Sequence, residues 1–361
     1  MTDMQPLEFG WYLPTNGDTT QIGNPAKSIE PDTDFFLRVI RVAEESDFEY
    51  MLIPVTPICW EAYVTAAFLA GQTTRIKPLI AARPGYINPV MLAKMIATFD
   101  QLTQGRICIN LIAGQSESEI LSDGITYAKE DRYALMEEEV SIMKKIWTSP
   151  KPIDFEGRFH TLKGAKIVPR IHQMPYPRFY LGGGSPEAAE LSAKHSDVHL
   201  FWGDKPSRIA ENIAHIRGLA AKHGRADKIG FGMRLQIICR EDEAEAWNVA
   251  RELVGAGTVE SRERILRETS RSAANTRVQE LAQEGEMIGP ALWTGITQVR
   301  PGAGIAVVGN PEQCAGQLQE FIDAGCQSFC LSGYLHDEEA RRFKKLVRPL
   351  LAARNPGRMA A

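Results

Sequence analysis

The stretch Gly182-Gly183-Gly184-Ser185-Pro186-Glu187 follows the apolar run RFYLG and opens the helical pattern PEAAELSAK. Glycines let a backbone approach an anion closely, and a helix start offers free amides and a favourable dipole. Ser185 suits the N-cap and Pro186 the first helical position. A plain capped turn has the same sequence, but a phosphate fits it too. The stretch is not GxGxxG, and no acidic residue follows at the spacing of a dinucleotide site, so a mononucleotide is favoured. Trp202 ends VHLFW and is followed by Gly203-Asp204. Arg234 and Gln236 stand two apart in FGMRLQII and so share a strand face. A buried arginine needs an anion, which an internal Asp or Glu could also supply. Ser332-Gly333-Tyr334-Leu335-His336 closes the last apolar run, and Arg300 sits on the Gly/Pro-rich QVRPGAG. Cys59, Arg83 and Asn110 also follow strand-like runs, and a lone cysteine is more often packing than nucleophile. No His/Asp/Glu/Cys set has metal-ligand spacing, and GxSxG and HExxH are missing, so hydrolase and metalloenzyme readings lose their usual support.

These groups need elements to hold them. Eight short apolar runs, at 8–13, 49–54, 77–82, 107–112, 178–183, 198–202, 229–238 and 328–333, alternate with helical patterns. Continuous apolar strands between helices predict a parallel α/β sheet, and eight of them favour a closed (β/α)₈ TIM barrel over an open doubly wound sheet. Two polar excursions, 113–131 and 257–304, exceed simple connections, and the second is expected to be a mobile insertion over the site. A small hairpin is expected at 153–162. One domain covering 1–361 is the expectation.

The bulk composition narrows the classes. Hydrophobic residues make up 44% and charged residues 24% of the 361, with a net charge of -4 that argues against nucleic acid as partner. Arg341, Arg342, Lys344 and Lys345 read as a solvated helix face. Six cysteines without a CxxC pair, several inside apolar runs, suit reduced thiols of a cytoplasmic protein. No secretory leader and no membrane-length apolar stretch is visible.

Taken together, WYLPTNGD, TFDQLTQGRICINLIAG, DRY, QMPYPRFYLGGGS, WGD, HGRADKIGFGMRL, ALWTGITQVRPGAGIAVVG and SGYLH resemble the bacterial luciferase-like flavin monooxygenases, in particular the alkanesulfonate monooxygenase branch. The matches span nearly the whole chain in order. The resemblance implies a luciferase-like barrel and reduced FMN with O2 as co-substrate. It also implies an NAD(P)H-dependent flavin reductase as partner and a homodimer or homotetramer. Tyr133, Gly183, Gly184 and Ser185 would hold the FMN phosphate, with Cys59 and Asn110 near the flavin. Trp202, Arg234, Tyr334 and His336 would surround an organosulfonate, and Arg300 would act in closure. The chain departs from that branch at Gln236 and Asn16, where the relatives carry histidines. Amides partner hydroxyl groups well, which favours a sugar sulfonate such as sulfoquinovose over simple alkanesulfonates. Oxidation of a sulfone, pyrimidine or alkane, or a non-catalytic flavin- or F420-binding barrel, are the alternatives.

Overall fold

The computed structural model describes residues 6–114, 117–269 and 272–359. Parts of the leader reading and of both polar excursions therefore lie outside the described residues. Eight strands form the centre: β1 (Glu8–Tyr12), β2 (Tyr50–Ile53), β3 (Lys77–Ala82), β4 (Cys108–Leu111), β5 (Phe179–Gly182), β6 (Val198–Trp202), β7 (Gly230–Cys239) and β8 (Ser328–Ser332). Each pairs in parallel with its sequence neighbours. The register Glu8↔Ser328 joins β1 to β8, and Val198↔Gly230 joins β6 to β7, so the sheet closes on itself. The fold is a (β/α)₈ barrel, and every strand expected from the sequence is present.

Helices cover the outside because each strand is apolar on both faces. Local chemistry sets where they start. Asp32 accepts from the Phe35 amide, Asn88 from Val90 and Asp242 from Glu245, while Asn310 and Gln313 complete a capping box. The main core lies between barrel and helices, around Phe9, Trp11, Ile80, Ile109, Phe179 and Phe329. A second core fills the barrel with Tyr50, Leu52, Leu79, Cys108, Tyr180, Leu200 and Cys330. The strand starts are sealed by polar contacts: Tyr180 donates to Glu8 Oε1 (2.6 Å), Arg178 pairs with Glu8 Oε2 (2.8 Å), and the Tyr50 and Ser328 hydroxyls lie 3.1 Å apart. This end is full.

The long insertion is more structured than a loop. It forms a helix at Val259–Thr269 and a second at Ala273–Glu284, then a two-residue strand at Leu292–Trp293. That strand pairs antiparallel with Ala306–Gly309, which in turn pairs in parallel with the outer half of β7. This addition to the sheet was not expected from the sequence, nor was the antiparallel pair of Asp18–Thr19 with Ser28–Ile29. The hairpin at Ile153–Glu156 and Thr161–Ala165 is present. Among the described residues no helix is long and apolar enough to cross a membrane. The six cysteines are all free, with Cys59 half-buried and the others buried.

Candidate active site

A cavity of 880 Å³ opens at the C-terminal ends of the strands, where barrel folds place their chemistry. Its wall includes Asn16, Cys59, Asn110, Tyr133, Gly183, Gly184, Ser185, Trp202, Arg234, Arg300, Tyr334 and His336. Of the residues that the sequence assigns to substrate, flavin or closure, all but Gln236 line this cavity.

Gln236 does share a strand face with Arg234, but the loop leading into Ala306–Gly309 closes over it. Its amide donates to Ala303 O (3.2 Å), and its carbonyl accepts from the Ser332 hydroxyl (2.7 Å). The side chain joins that loop to β8, and Gln236 stands behind the cavity wall and does not line it.

Arg234 is buried and has no carboxylate partner among the described residues. Nη1 donates to Leu235 O (2.9 Å) and to Cys330 O (3.5 Å), and the guanidinium lies over the Tyr12 ring, 4.8 Å from its centroid. Backbone carbonyls orient an arginine but do not neutralise it. Arg83, on the same wall, is the contrast: it pairs with Glu119 and lies 3.5 Å from Asp123. Arg300 also has no carboxylate among the described residues; its Nη1 donates to the Tyr334 hydroxyl (2.7 Å). Burial works against the Arg300 charge, but the Tyr334 and Tyr12 hydroxyls outweigh it, and its pKa moves up. The Tyr12 phenol is pushed well above its ordinary range, first by burial and then by Cys59. The cavity wall therefore carries two arginines, Arg234 and Arg300, that no carboxylate among the described residues neutralises, a pair that favours an anionic guest.

The opposite wall carries the glycines. Gly183 has φ +145°, and a Cβ there would come within 2.9 Å of the Ala188 Cβ, so only glycine fits this bend. Ser185 caps the helix Pro186–His195, accepting from the Ala188 amide at 3.3 Å. Tyr133 is raised by burial, with its hydrogen bond to Ser185 acting against the shift. Facing them is the start of the Ala273–Glu284 helix: the Ala274 amide lies 3.7 Å from where a Gly184 Cβ would stand. Two helix starts, a hydroxyl and a phenol around a backbone without side chains fit a phosphate that takes the place of the Glu187 carboxylate, to which the Ser185 hydroxyl and the Glu187 amide now bond. Asn110, on β4, and half-buried Cys59, which follows β2 and whose sulfur accepts from Thr56 Oγ1 (3.1 Å), line the same cavity.

Among the wall residues not read from the sequence are Tyr12 and Asp18. Tyr12 ends β1, so the rule that barrel chemistry sits at strand ends would have found it. Asp18 lies within WYLPTNGD, but nothing in its spacing points to its partner, His336. The His336 backbone amide donates to Asp18 Oδ2 (2.7 Å), and the ring Nδ1 lies 2.9 Å from the same oxygen. Among the described residues no group of His, Cys, Asp and Glu is arranged to hold a metal ion.

Residues 7–328 match the family model described as luciferase-like monooxygenase. Riboflavin lyase, solved with modified FMN and riboflavin, superposes with a TM-score of 0.80 at 19% identity, over 99% of this chain and 93% of that one. EDTA monooxygenase from Chelativorans sp. BNC1 gives 0.78 at 17%, over 97% and 94%. DmoA from Hyphomicrobium sulfonivorans gives 0.81 at 16%, over 99% and 89%. At these identities the likeness to the solved structures is one of fold.

Proposed function

Since the chain belongs to the luciferase-like monooxygenase family, we propose that it is a two-component enzyme that uses reduced FMN and O2 to release sulfite from a small organosulfonate. The observation that carries this reading is Arg234: a buried guanidinium on the cavity wall with no carboxylate among the described residues to neutralise it. A sulfonate is a permanent anion, and a guanidinium is a cation that does not deprotonate.

Gly183, Gly184, Ser185 and Tyr133 would hold the FMN phosphate, with Asn110 and Cys59 beside the ring system. When bound, the reduced flavin supplies the two electrons that let one atom of O2 enter the substrate and the other leave as water. The balance is R–CH₂–SO₃⁻ + O₂ + FMNH₂ → R–CHO + HSO₃⁻ + FMN + H₂O. Arg234 and the Trp202 indole hold the sulfonate. Arg300, tied to Tyr334, covers the anion and helps exclude water. Once the carbon bears a hydroxyl, His336 Nε2 accepts its proton; the C=O bond forms as the C–S bond breaks, and the electron pair departs with sulfite.

A flavin reductase using NAD(P)H would supply the reduced cofactor, which places the work in the cytoplasm. The chain would assemble as a homodimer or homotetramer; Val64 and Phe68, one helical turn apart and exposed, offer an apolar stripe for it. With Gln236 behind the wall, the preference for a sugar sulfonate rests on Asn16 at the cavity rim. The test is sulfite release by purified protein with reductase, NAD(P)H and FMN, across sulfoquinovose, pentanesulfonate and octanesulfonate. Sulfite from at least one is expected, fastest from sulfoquinovose. Consumption of a sulfone, pyrimidine or alkane with no sulfite from any sulfonate would overturn the reading.

A further inference from the structure

We propose that Asp18 is a positioning residue that fixes the tautomer of His336 and so makes its Nε2 a proton acceptor inside the cavity. The inference deepens the reading above and rests on it for the reaction, though not for the geometry. Asp18 is fully built into its surroundings. Gly17 turns the chain at φ +96°, and the pairing Asp18↔Ile29 fixes the backbone that follows. Oδ1 accepts from the Thr19 amide (2.8 Å), while Oδ2 accepts from both the His336 amide and the ring Nδ1.

A carboxylate only accepts, so Nδ1 must carry the proton that it shares with Asp18. In a neutral imidazole the other nitrogen is then a bare acceptor. Among the described residues Nε2 has no hydrogen-bond partner, and His336 lies on the cavity wall with its ring 5.3 Å from that of Tyr334 and 5.9 Å from that of Tyr12. The ring position is fixed as well, because the Trp11 indole donates to the His336 carbonyl (3.0 Å). Both the orientation and the proton address of the imidazole are therefore set by the protein rather than by the guest.

Asp18→Ala removes this control. All three contacts of the Asp18 carboxylate are N–H groups, and an asparagine could still turn its carbonyl oxygen to the His336 amide and Nδ1–H, giving up only Thr19. Alanine offers no acceptor at either place, and a neutral imidazole without a partner carries its proton mainly on Nε2.

Long-range ¹H–¹⁵N spectra of the ¹⁵N-histidine-labelled full chain at pH 8.5 read the tautomer directly, with His336 assigned by loss of its signal in His336→Gln. The expected wild-type form has the proton on Nδ1 and a bare Nε2; a proton on Nε2 overturns the proposal, whatever the variant does. In Asp18→Ala the proton is expected mainly on Nε2, with kcat for the sulfonate lowered ~100-fold and KM and reduced-FMN affinity changed by less than about threefold. Asp18→Ala with wild-type kcat and a bare Nε2 also overturns it. An Nδ1 proton in a wild-type protein that releases no sulfite supports the dyad while removing the substrate reading, so the two failures are separable.

Discussion

Trp202 and Arg234 are register partners on adjacent parallel strands, so the indole and the guanidinium stand side by side at one level of the barrel. Such neighbours share a face, and both line the same cavity. Charge-assisted hydrogen bonds of this kind contribute roughly 1.5–3 kcal/mol, so Arg234→Ala is expected to raise KM for the sulfonate about 10- to 100-fold. Reduced-FMN affinity should stay near wild type, as fluorescence titration would show. Arg234→Lys should recover little, since an ammonium cannot present a planar fork.

Ser185→Ala is expected to do the reverse. The hydroxyl caps its helix and borders the glycine cradle, so reduced-FMN affinity should fall on the order of tenfold while KM for the sulfonate holds. Loss of the cap costs about 1 kcal/mol, which denaturant unfolding measures separately.

A third prediction concerns the insertion. Asp204, two residues after Trp202, accepts from Arg277 on the Ala273–Glu284 helix at 2.7 and 3.0 Å, and Asn275 on that helix accepts from the Gly302 amide (2.9 Å). One helix thus braces the turns that carry Trp202 and Arg300. Arg277→Ala should raise amide exchange across 273–284 and 299–303 and lower kcat. Unchanged exchange in both segments would show that the brace is not needed.

Glu139 gives a pH signature in stability. Burial pushes its carboxyl up to about 7, against the Gly85 amide that favours the charged form, with Glu138 adding to the rise. A carboxyl raised on folding contributes stability below its unfolded value, and that contribution is lost as pH rises toward 7. Glu139→Gln keeps an acceptor for Gly85 but carries no charge. Relative to the variant, the wild type should lose on the order of 2–3 kcal/mol between pH 4.5 and 7, read from paired urea melts. A constant difference across that range would refute the shift.

The barrel was legible because its eight strands are unbroken apolar runs ended by Gly, Pro or charge. Ala306–Gly309 was not, since four residues between glycines at the tail of the insertion look like the end of a loop. Their partner is the outer half of β7, and no local pattern announces that a strand outgrows its barrel. The cavity wall was read well at strand ends, where position alone assigns a side chain. It failed at Gln236, whose strand face was right but whose amide is captured by a loop returning from far along the chain. Asp18 and His336 lie 318 residues apart in sequence and meet only after the barrel closes.

The plug of Glu8, Arg178, Tyr180, Tyr50 and Ser328 has a kinetic consequence. With the strand starts filled, the cavity opens toward the strand ends, and cofactor and sulfonate reach it from that side. A guest seated nearer the opening then stands in the path of one seated deeper, which favours loading the deeper one first.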